Sequence, residues 1–236
     1  MRIIVIGGGI GGLTAAIALN KAGIDAHVYE RSPELREVGA GIAIAANALR
    51  ALDVLGLGNA IRSEGIAGIQ GGLRNRNGEV LVAIPPDEIA GAVVVMHRAE
   101  LLAALAQQID PERLHLNREC IRLEQDSDGV TARFRNGETA HADALIGADG
   151  LRSAVRTQLF GEQTVQYAGY TAWRTVVAFD HTQDLAIGES WGRGRRFGIV
   201  PMSRGRVYWF AVVNAAEGQR DPVGQTRDVL ARLFRG

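Results

Sequence analysis

Arg2-Ile3-Ile4-Val5-Ile6-Gly7-Gly8-Gly9-Ile10-Gly11-Gly12 opens the chain, and an Ala/Leu-rich stretch from Leu13 to Ala22 follows it. A second apolar run, Ala26 to Tyr29, ends on Glu30. The order reads as strand, glycine turn, helix, strand, acidic residue, which is the βαβ fingerprint of a dinucleotide-binding fold. Gly7, Gly9 and Gly12 occupy its three glycine positions, and Gly11 lies in the same turn. Gly7 allows the tight turn off the strand. Gly9, without a Cβ, lets a pyrophosphate approach the backbone. Gly12 allows close packing of helix on strand. The helix N-terminus offers free N–H groups and the positive end of a dipole to phosphate oxygens. Glu30 follows at the spacing of an acceptor for a ribose diol. A purely structural glycine turn is the competing reading of the glycines alone.

Composition narrows the remaining choices. At 236 residues the chain is long enough for a sizeable core and one or two domains. Its formal net charge of zero lacks the basic excess of a nucleic-acid binder. Cys120 is the single cysteine, so neither an internal disulfide nor a multi-cysteine metal site is available, and the five histidines show no metal-ligand spacing. No apolar run reaches the length of a membrane span, and the glycines interrupt the N-terminal apolar stretch before it resembles a signal peptide. These features point to a reducing, cytoplasmic setting.

Beyond Glu30, Arg31 to Gly39 reads as a loop, and Gly39 to Ala43 as a small-residue passage that a ligand could approach. Helices are expected over Asn47–Leu55, Arg98–Gln108 and Val223–Phe234. A hairpin is expected over Gln70–Ile84, with Asn77-Gly78 as a type I′ turn, broken by Pro85-Pro86; Asn136-Gly137 marks another. Val93–Met96, His115–Leu123, Val130–Phe134 and Ala144–Ile146 read as strands, and from Tyr167 on β-branched and aromatic strands dominate. The expected division is residues 1–72 and 96–160 for a discontinuous nucleotide domain, and 73–95 and 161–236 for a β-rich domain.

A second motif, Gly147-Ala148-Asp149-Gly150-Leu151-Arg152-Ser153-Ala154-Val155-Arg156, leaves a strand and opens a helix. Asp149 could hydrogen-bond a sugar or ribityl hydroxyl, and Arg152 and Arg156 could meet phosphate oxygens. A turn with Ser153 as helix cap is equally compatible with the residues.

Together with Arg98 at the head of a Leu-rich helix, Tyr167 to Arg174, Gly192 to Pro201 and Gly205 to Phe210, these motifs resemble the single-component FAD-dependent aromatic hydroxylases. That family includes p-hydroxybenzoate, salicylate and urate hydroxylases and zeaxanthin epoxidase. The resemblance implies a Rossmann-like FAD/NAD(P)-binding α/β domain of glutathione-reductase type beside a β-sheet substrate domain. It implies FAD on Gly7, Gly9, Gly11 and Gly12, with Glu30 at the adenosine ribose. Arg31, Ala43 and Arg98 would lie along the cofactor, the backbone near Cys120 at the adenine, and Asp149 in a motif serving FAD and NAD(P)H. Arg196 and Tyr208 would face the substrate; a solvated loop arginine and an ordinary sheet aromatic are the bland readings. The implied reaction uses NAD(P)H and O₂, through a flavin C4a-hydroperoxide, to oxygenate an aromatic or other electron-rich small molecule. A flavin-dependent reductase of the same fold and an FAD-binding remnant without turnover stay open. The family's later Gly-Asp-Ala-Ala-His-type motif does not occur here, so the expected readings are a fragment of a longer enzyme with a missing C-terminal segment, a truncated product of a degraded gene, or a chain that a second chain completes; a homo-oligomer stays open as a partner.

Overall fold

The computed structural model describes residues 1–35, 40–67, 71–83, 93–179 and 187–235. Its first half runs β1 (Arg2–Ile6), α1 (Ile10–Lys21), β2 (Asp25–Tyr29), β3 (Gly41–Ala45), α2 (Ala46–Val54), α3 (Gly58–Glu64), β4 (Ile66–Ala67), β5 (Gly72–Asn75), β6 (Val80–Ala83), β7 (Val93–His97) and α4 (Arg98–Ala106). A 3₁₀ turn (Pro111–Arg113) leads to β8 (Leu114–His115), β9 (Cys120–Gln125), β10 (Val130–Phe134), β11 (Thr139–Ala142), β12 (Ala144–Gly147) and α5 (Ala154–Phe160). The last elements are β13 (Tyr170–Ala178), β14 (Gly188–Gly192), β15 (Arg195–Met202), β16 (Arg206–Asn214) and α6 (Thr226–Leu233). Two units are built from these pieces. One comprises Met1–Val38, Val54–Leu57 and Ala99–Val165, the other Gly39–Asp53, Gly58–Arg98 and Gln166–Gly236.

The first unit is organised on β1. β12 and β2 pair with it in parallel, and β8 extends the sheet beyond β2. A parallel strand covered on both faces must be apolar throughout, and Ile3, Ile4, Val5 and Ile6 are all buried. α1 packs on β1 and β2 and buries Leu13, Ala16 and Ile17. Its C-terminus is stopped by Gly23 in the left-handed region (φ +78°), the usual glycine stop for a helix. Ile4 and Ile6 pack with Cys120, Leu123, Ala132, Phe134, Ala142 and Val155, which belong to the antiparallel sheet β11-β10-β9 and to α5.

The second unit carries a six-stranded sheet in the order β13-β16-β15-β14-β5-β6 and a three-stranded sheet β3-β7-β4. All pairs in the larger sheet are antiparallel except β14 with β5. The units follow strand pairing rather than the breaks in sequence character. β3 and β4, which fall inside the expected 1–72 segment, both pair with β7 and so belong to the second unit.

Several local expectations are corrected. Asn77 has no positive φ, so its hairpin does not use the expected type I′ turn, which needs it at both central residues, and Asn136 in the second hairpin has none either. Only Gly78 (φ +86°) and Gly137 (φ +90°) are left-handed, and the Gly137 N–H donates to the Phe134 carbonyl at 3.0 Å. These are three-residue loops closed by a glycine bulge. The expected strand over 115–123 is two, because Asn117 adopts a left-handed φ of +55° between β8 and β9. β14 went unread because its glycines, glutamate and serine are poor strand formers. Gly39, Gln70, Ile84 and the Pro85-Pro86 break lie outside the described residues.

The packing at Gly12 gives a direct test. A Cβ there would stand 1.9 Å from the Gly7 carbonyl oxygen and 3.3 Å from the Ala148 Cβ, whereas one on Gly11 would meet nothing within 4 Å. Gly12→Ala is therefore expected to lower unfolding free energy by more than about 2 kcal/mol in urea denaturation. Gly11→Ala, in the same helix, is expected to be neutral or to stabilise by about 0.5–1 kcal/mol. Equal effects would contradict this packing.

Candidate functional site

In the first unit the glycine turn, Glu30 and the 147–150 passage meet around the N-terminus of α1. Gly7 sits at φ +112°, and a Cβ on it would lie 2.3 Å from the Ala148 carbonyl oxygen. A Cβ on Gly8 would lie 2.9 Å from the Glu30 Cβ. The fold thus demands Gly7, Gly8 and Gly12. It makes no such demand at Gly9, the N-cap of α1, whose backbone is extended (φ −74°, ψ 177°) and whose Cβ would also meet nothing within 4 Å. Gly9 and Gly11 border open space.

Charge and hydrogen bonding match that space. α1 has no side-chain cap and no acidic residue in its first turn, which leaves its dipole end to an incoming anion. Glu30 is half-buried beside it. One carboxylate oxygen accepts from the Gly8 N–H at 2.6 Å and the other from the Ser32 N–H at 2.9 Å. Each oxygen retains acceptor capacity, so a fixed carboxylate can still take a vicinal diol. Arg31 next to it is exposed.

Asp149 is used inside the chain. Its Oδ1 accepts from Ser153 Oγ at 2.5 Å, and its Oδ2 accepts from the Ala154 N–H at 2.7 Å and from the Val155 N–H at 3.3 Å. Ser153 Oγ in turn accepts from the Arg156 N–H at 2.9 Å. The carboxylate and the serine together cap α5, which is the structural reading of this motif. The Arg156 guanidinium donates to the Leu151 carbonyl. Cys120 is buried in the core cluster, where burial pushes its thiol above the ordinary range, so it can offer a ligand only its backbone.

The second unit holds the other candidates. Arg98 begins α4, and its N–H donates to the Ala40 carbonyl at 2.9 Å. Ala43 lies on the same face of β3 as Gly41, where a Cβ would stand 2.6 Å from the Tyr208 ring. Tyr208 is half-buried, and burial raises its phenol above the ordinary value while Arg174 pulls it down. The phenol is therefore protonated at neutral pH and able to donate. Strand register puts Arg196 and Tyr208 on one face of the large sheet, Arg196 opposite Val212 and Tyr208 opposite Val200. About 13 Å of strand separates the two positions, so they are co-facial rather than touching. Phe210 lies between them over Gly198, and Arg174 stands opposite Phe210.

Glu189 escaped sequence reading. Its Oε1 is 3.3 Å from Arg196 Nη1, an ion pair without the alignment of a hydrogen bond. Trp191, on the same face, pairs in register with Arg196 and helps line a cavity of about 190 Å³ with Tyr170 and Val212.

A protein family described as FAD binding domain matches residues 1–235. The chain belongs to this family. It is 39% identical to the aurachin C monooxygenase/isomerase of Stigmatella aurantiaca, over 99% of this chain and 62% of that protein. It is 36% identical to the FAD-dependent urate hydroxylase of Klebsiella pneumoniae, over 100% of this chain and 64% of that protein. The crystal structure of Klebsiella pneumoniae HpxO complexed with FAD and uric acid superposes with a TM-score of 0.89 at 32% identity, covering 99% of this chain and 61% of that one. The chain thus spans a little over three fifths of these relatives. It is a member of the single-component FAD-dependent aromatic hydroxylases, and FAD is the family's cofactor. The first unit fits the adenosine diphosphate part of FAD: a glycine cradle that a Cβ would fill, an uncapped helix N-terminus and a fixed carboxylate.

Glu30→Ala removes an oriented charged acceptor without touching the core. FAD titration by flavin fluorescence is expected to show affinity weakened by roughly 1–3 kcal/mol. Unchanged affinity would remove Glu30 from the ribose.

Proposed function

We propose that this chain is the FAD-binding and substrate-facing part of a flavoprotein monooxygenase that oxygenates an aromatic or other electron-rich small molecule with NAD(P)H and O₂. The observation that carries the reading is the combination, in one family member, of the Gly7–Gly12/Glu30 cradle with a separate sheet face bearing Arg196, Tyr208, Phe210 and Trp191. The bound flavin would supply the redox chemistry and the activation of oxygen. The protein's own part is to bind, orient and exclude water.

In this reading Gly7, Gly9, Gly11, Gly12 and Glu30 hold the adenosine diphosphate end. The backbone at Cys120 lies at the adenine, and Arg31, Ala43, Arg98 and the Asp149 turn lie along the rest of the cofactor. Tyr208 donates a hydrogen bond to a carbonyl or phenolic oxygen of the substrate, and Phe210 and Trp191 offer aromatic faces for its ring. Arg196 draws an anionic or carbonyl-rich substrate, in competition with Glu189. The relatives named for urate hydroxylation and aurachin C oxygenation support a planar, heteroatom-rich aromatic as substrate class. A small molecule, O₂ and NAD(P)H are then the partners.

The test is oxygen uptake and NAD(P)H oxidation by FAD-loaded protein across a panel of hydroxylated and nitrogen-containing aromatics, with ¹⁸O₂ to trace product oxygen. Substrate-stimulated turnover with one labelled oxygen in the product is expected. Arg196→Gln is expected to lower kcat/KM for an anionic substrate about tenfold or more, and Glu189→Gln to lower its KM by freeing Arg196. Tight FAD binding without substrate-stimulated oxidation would instead favour a reductase or a remnant without turnover.

A further inference from the structure

Beside the FAD cradle, the first unit holds a linked chain of titratable side chains. Asp25 Oδ1 lies 3.1 Å from His27 Nε2, and His27 Nδ1 lies 3.1 Å from His115 Nε2. The rings continue as a stack. Centroids are 5.3 Å apart for His27–His115, 4.5 Å for His115–Tyr29 and 4.9 Å for Tyr29–Phe134, with interplanar angles of 14°, 18° and 15°. Phe134 anchors the far end in the core cluster.

The stack is tied to Glu30 through the backbone. Tyr29 and His115 are register partners in the parallel pair β2–β8. The Glu30 N–H donates to the His115 carbonyl at 2.9 Å, the Arg118 N–H to the Glu30 carbonyl at 2.8 Å, and the Asn117 N–H to the Ser32 carbonyl at 3.1 Å. The segment bearing the candidate ribose acceptor is therefore fixed by the chain that carries His115.

An N–H···N bond between two imidazoles needs a proton on one nitrogen and a lone pair on the other. A neutral pair meets this requirement, with His27 donating to Asp25 and His115 donating to His27. A singly protonated pair meets it too. Two imidazolium rings do not, because two N–H groups of like charge would face each other at 3.1 Å.

We infer that His27 and His115 are positioning residues for the adenosine end of FAD: with at most one proton charge the pair holds the β2–β8 edge so that Glu30 is aimed at the ribose, and a second proton releases it. This rests on the reading of Glu30 as the ribose acceptor. The charged and titratable groups around the pair come from several elements. Asp25 and Tyr29 are on β2. Arg2, on β1, reaches Asp25 at 2.8 Å, and Arg113, in the 3₁₀ turn, reaches it at 3.6 Å. Arg118 follows β8 and pairs with Glu138 of the β10–β11 hairpin at 2.6 Å. The Arg2 hydrogen bond, then the charge of His27, hold the Asp25 carboxyl below its usual range. Burial, then the charges of His27 and Arg118, hold the His115 imidazole below the usual histidine range, against a smaller opposing pull from Glu138.

With His115 depressed in the fold, the unfolded chain binds more protons just below the ordinary histidine pKa of about 6.5. The pair's contribution is complete above that pH and declines as pH falls toward the folded value. Titration of Asp25 lies well below this window.

FAD titrations of wild type, His115→Phe and His115→Gln between roughly pH 7.5 and 5.5 test the inference. Phe keeps the stack and Gln keeps a donor toward His27, and neither side chain can take up a proton. Wild-type Kd is expected to rise as pH falls through the range, while the variants change far less. Should both variants fail to fold, imidazole NMR of the wild type decides: a His115 ring that titrates below the ordinary histidine range and moves when FAD binds supports the inference, and a His115 titration at the ordinary value that FAD leaves unchanged overturns it. Binding at neutral pH with the same pH dependence in wild type and variants overturns it while leaving FAD binding intact. Failure of wild type to bind FAD at any pH would overturn the cofactor reading and the inference together.

Discussion

The first unit depends on a three-way contact among β1, the start of α1 and the turn after β12, where there is no room for side chains. The space for a Cβ on Gly7 is filled by the Ala148 carbonyl, and the space for one on Gly12 by the Gly7 carbonyl. This approach sets α1 directly beyond the end of β1, so its uncapped N-terminus opens where the central strand stops. Burial of Ile3, Ile4, Val5, Ile6 and Leu13, at roughly 1.5–3 kcal/mol per large side chain, holds the contact closed. An anion site is then a by-product of the packing: the dipole end and the free N–H groups have nowhere else to point.

In the proposed reading Glu30 turns that anion site into a nucleotide site. A carboxylate near phosphates would be unfavourable by charge alone. The amides of Gly8 and Ser32 fix it and offset its charge, and the β2–β8 edge fixes its backbone. The second unit solves a different problem by similar means. Gly41 and Gly198 give up their side-chain volume to the rings of Tyr208 and Phe210, which occupy the space over the glycine backbones.

The first unit was legible because its constraints are local. Strand, glycine turn, helix and Glu30 all lie within the first thirty residues, and Gly7 and Gly12 have steric reasons that a spacing pattern captures. The 147–156 motif was legible as a strand-to-helix turn, but not which of its two readings its carboxylate would take; the helix cap formed by Asp149 and Ser153 depends on hydrogen-bond geometry. Pairings across sequence distance were hidden. Nothing local places β3 beside β7, pairs Glu189 with Arg196, or stacks His27 on His115. The hairpin turns misled for another reason: Asn-Gly fits two turn types, and loop length chose between them. Arg196 and Tyr208 were named through family resemblance, and only strand register shows that they share a face while standing well apart along it.

The central claim is that the glycine turn is divided between fold and ligand, with Gly7, Gly8 and Gly12 required by packing and Gly9 left for FAD. The most direct measurement is a paired one on Gly9→Ala: the urea unfolding midpoint of the apo-protein and its Kd for FAD. The account requires an unfolding midpoint close to wild type together with FAD affinity reduced at least about tenfold, or 1.4 kcal/mol. Wild-type FAD affinity, or a loss of apo-protein stability as large as that expected for Gly12→Ala, would contradict it.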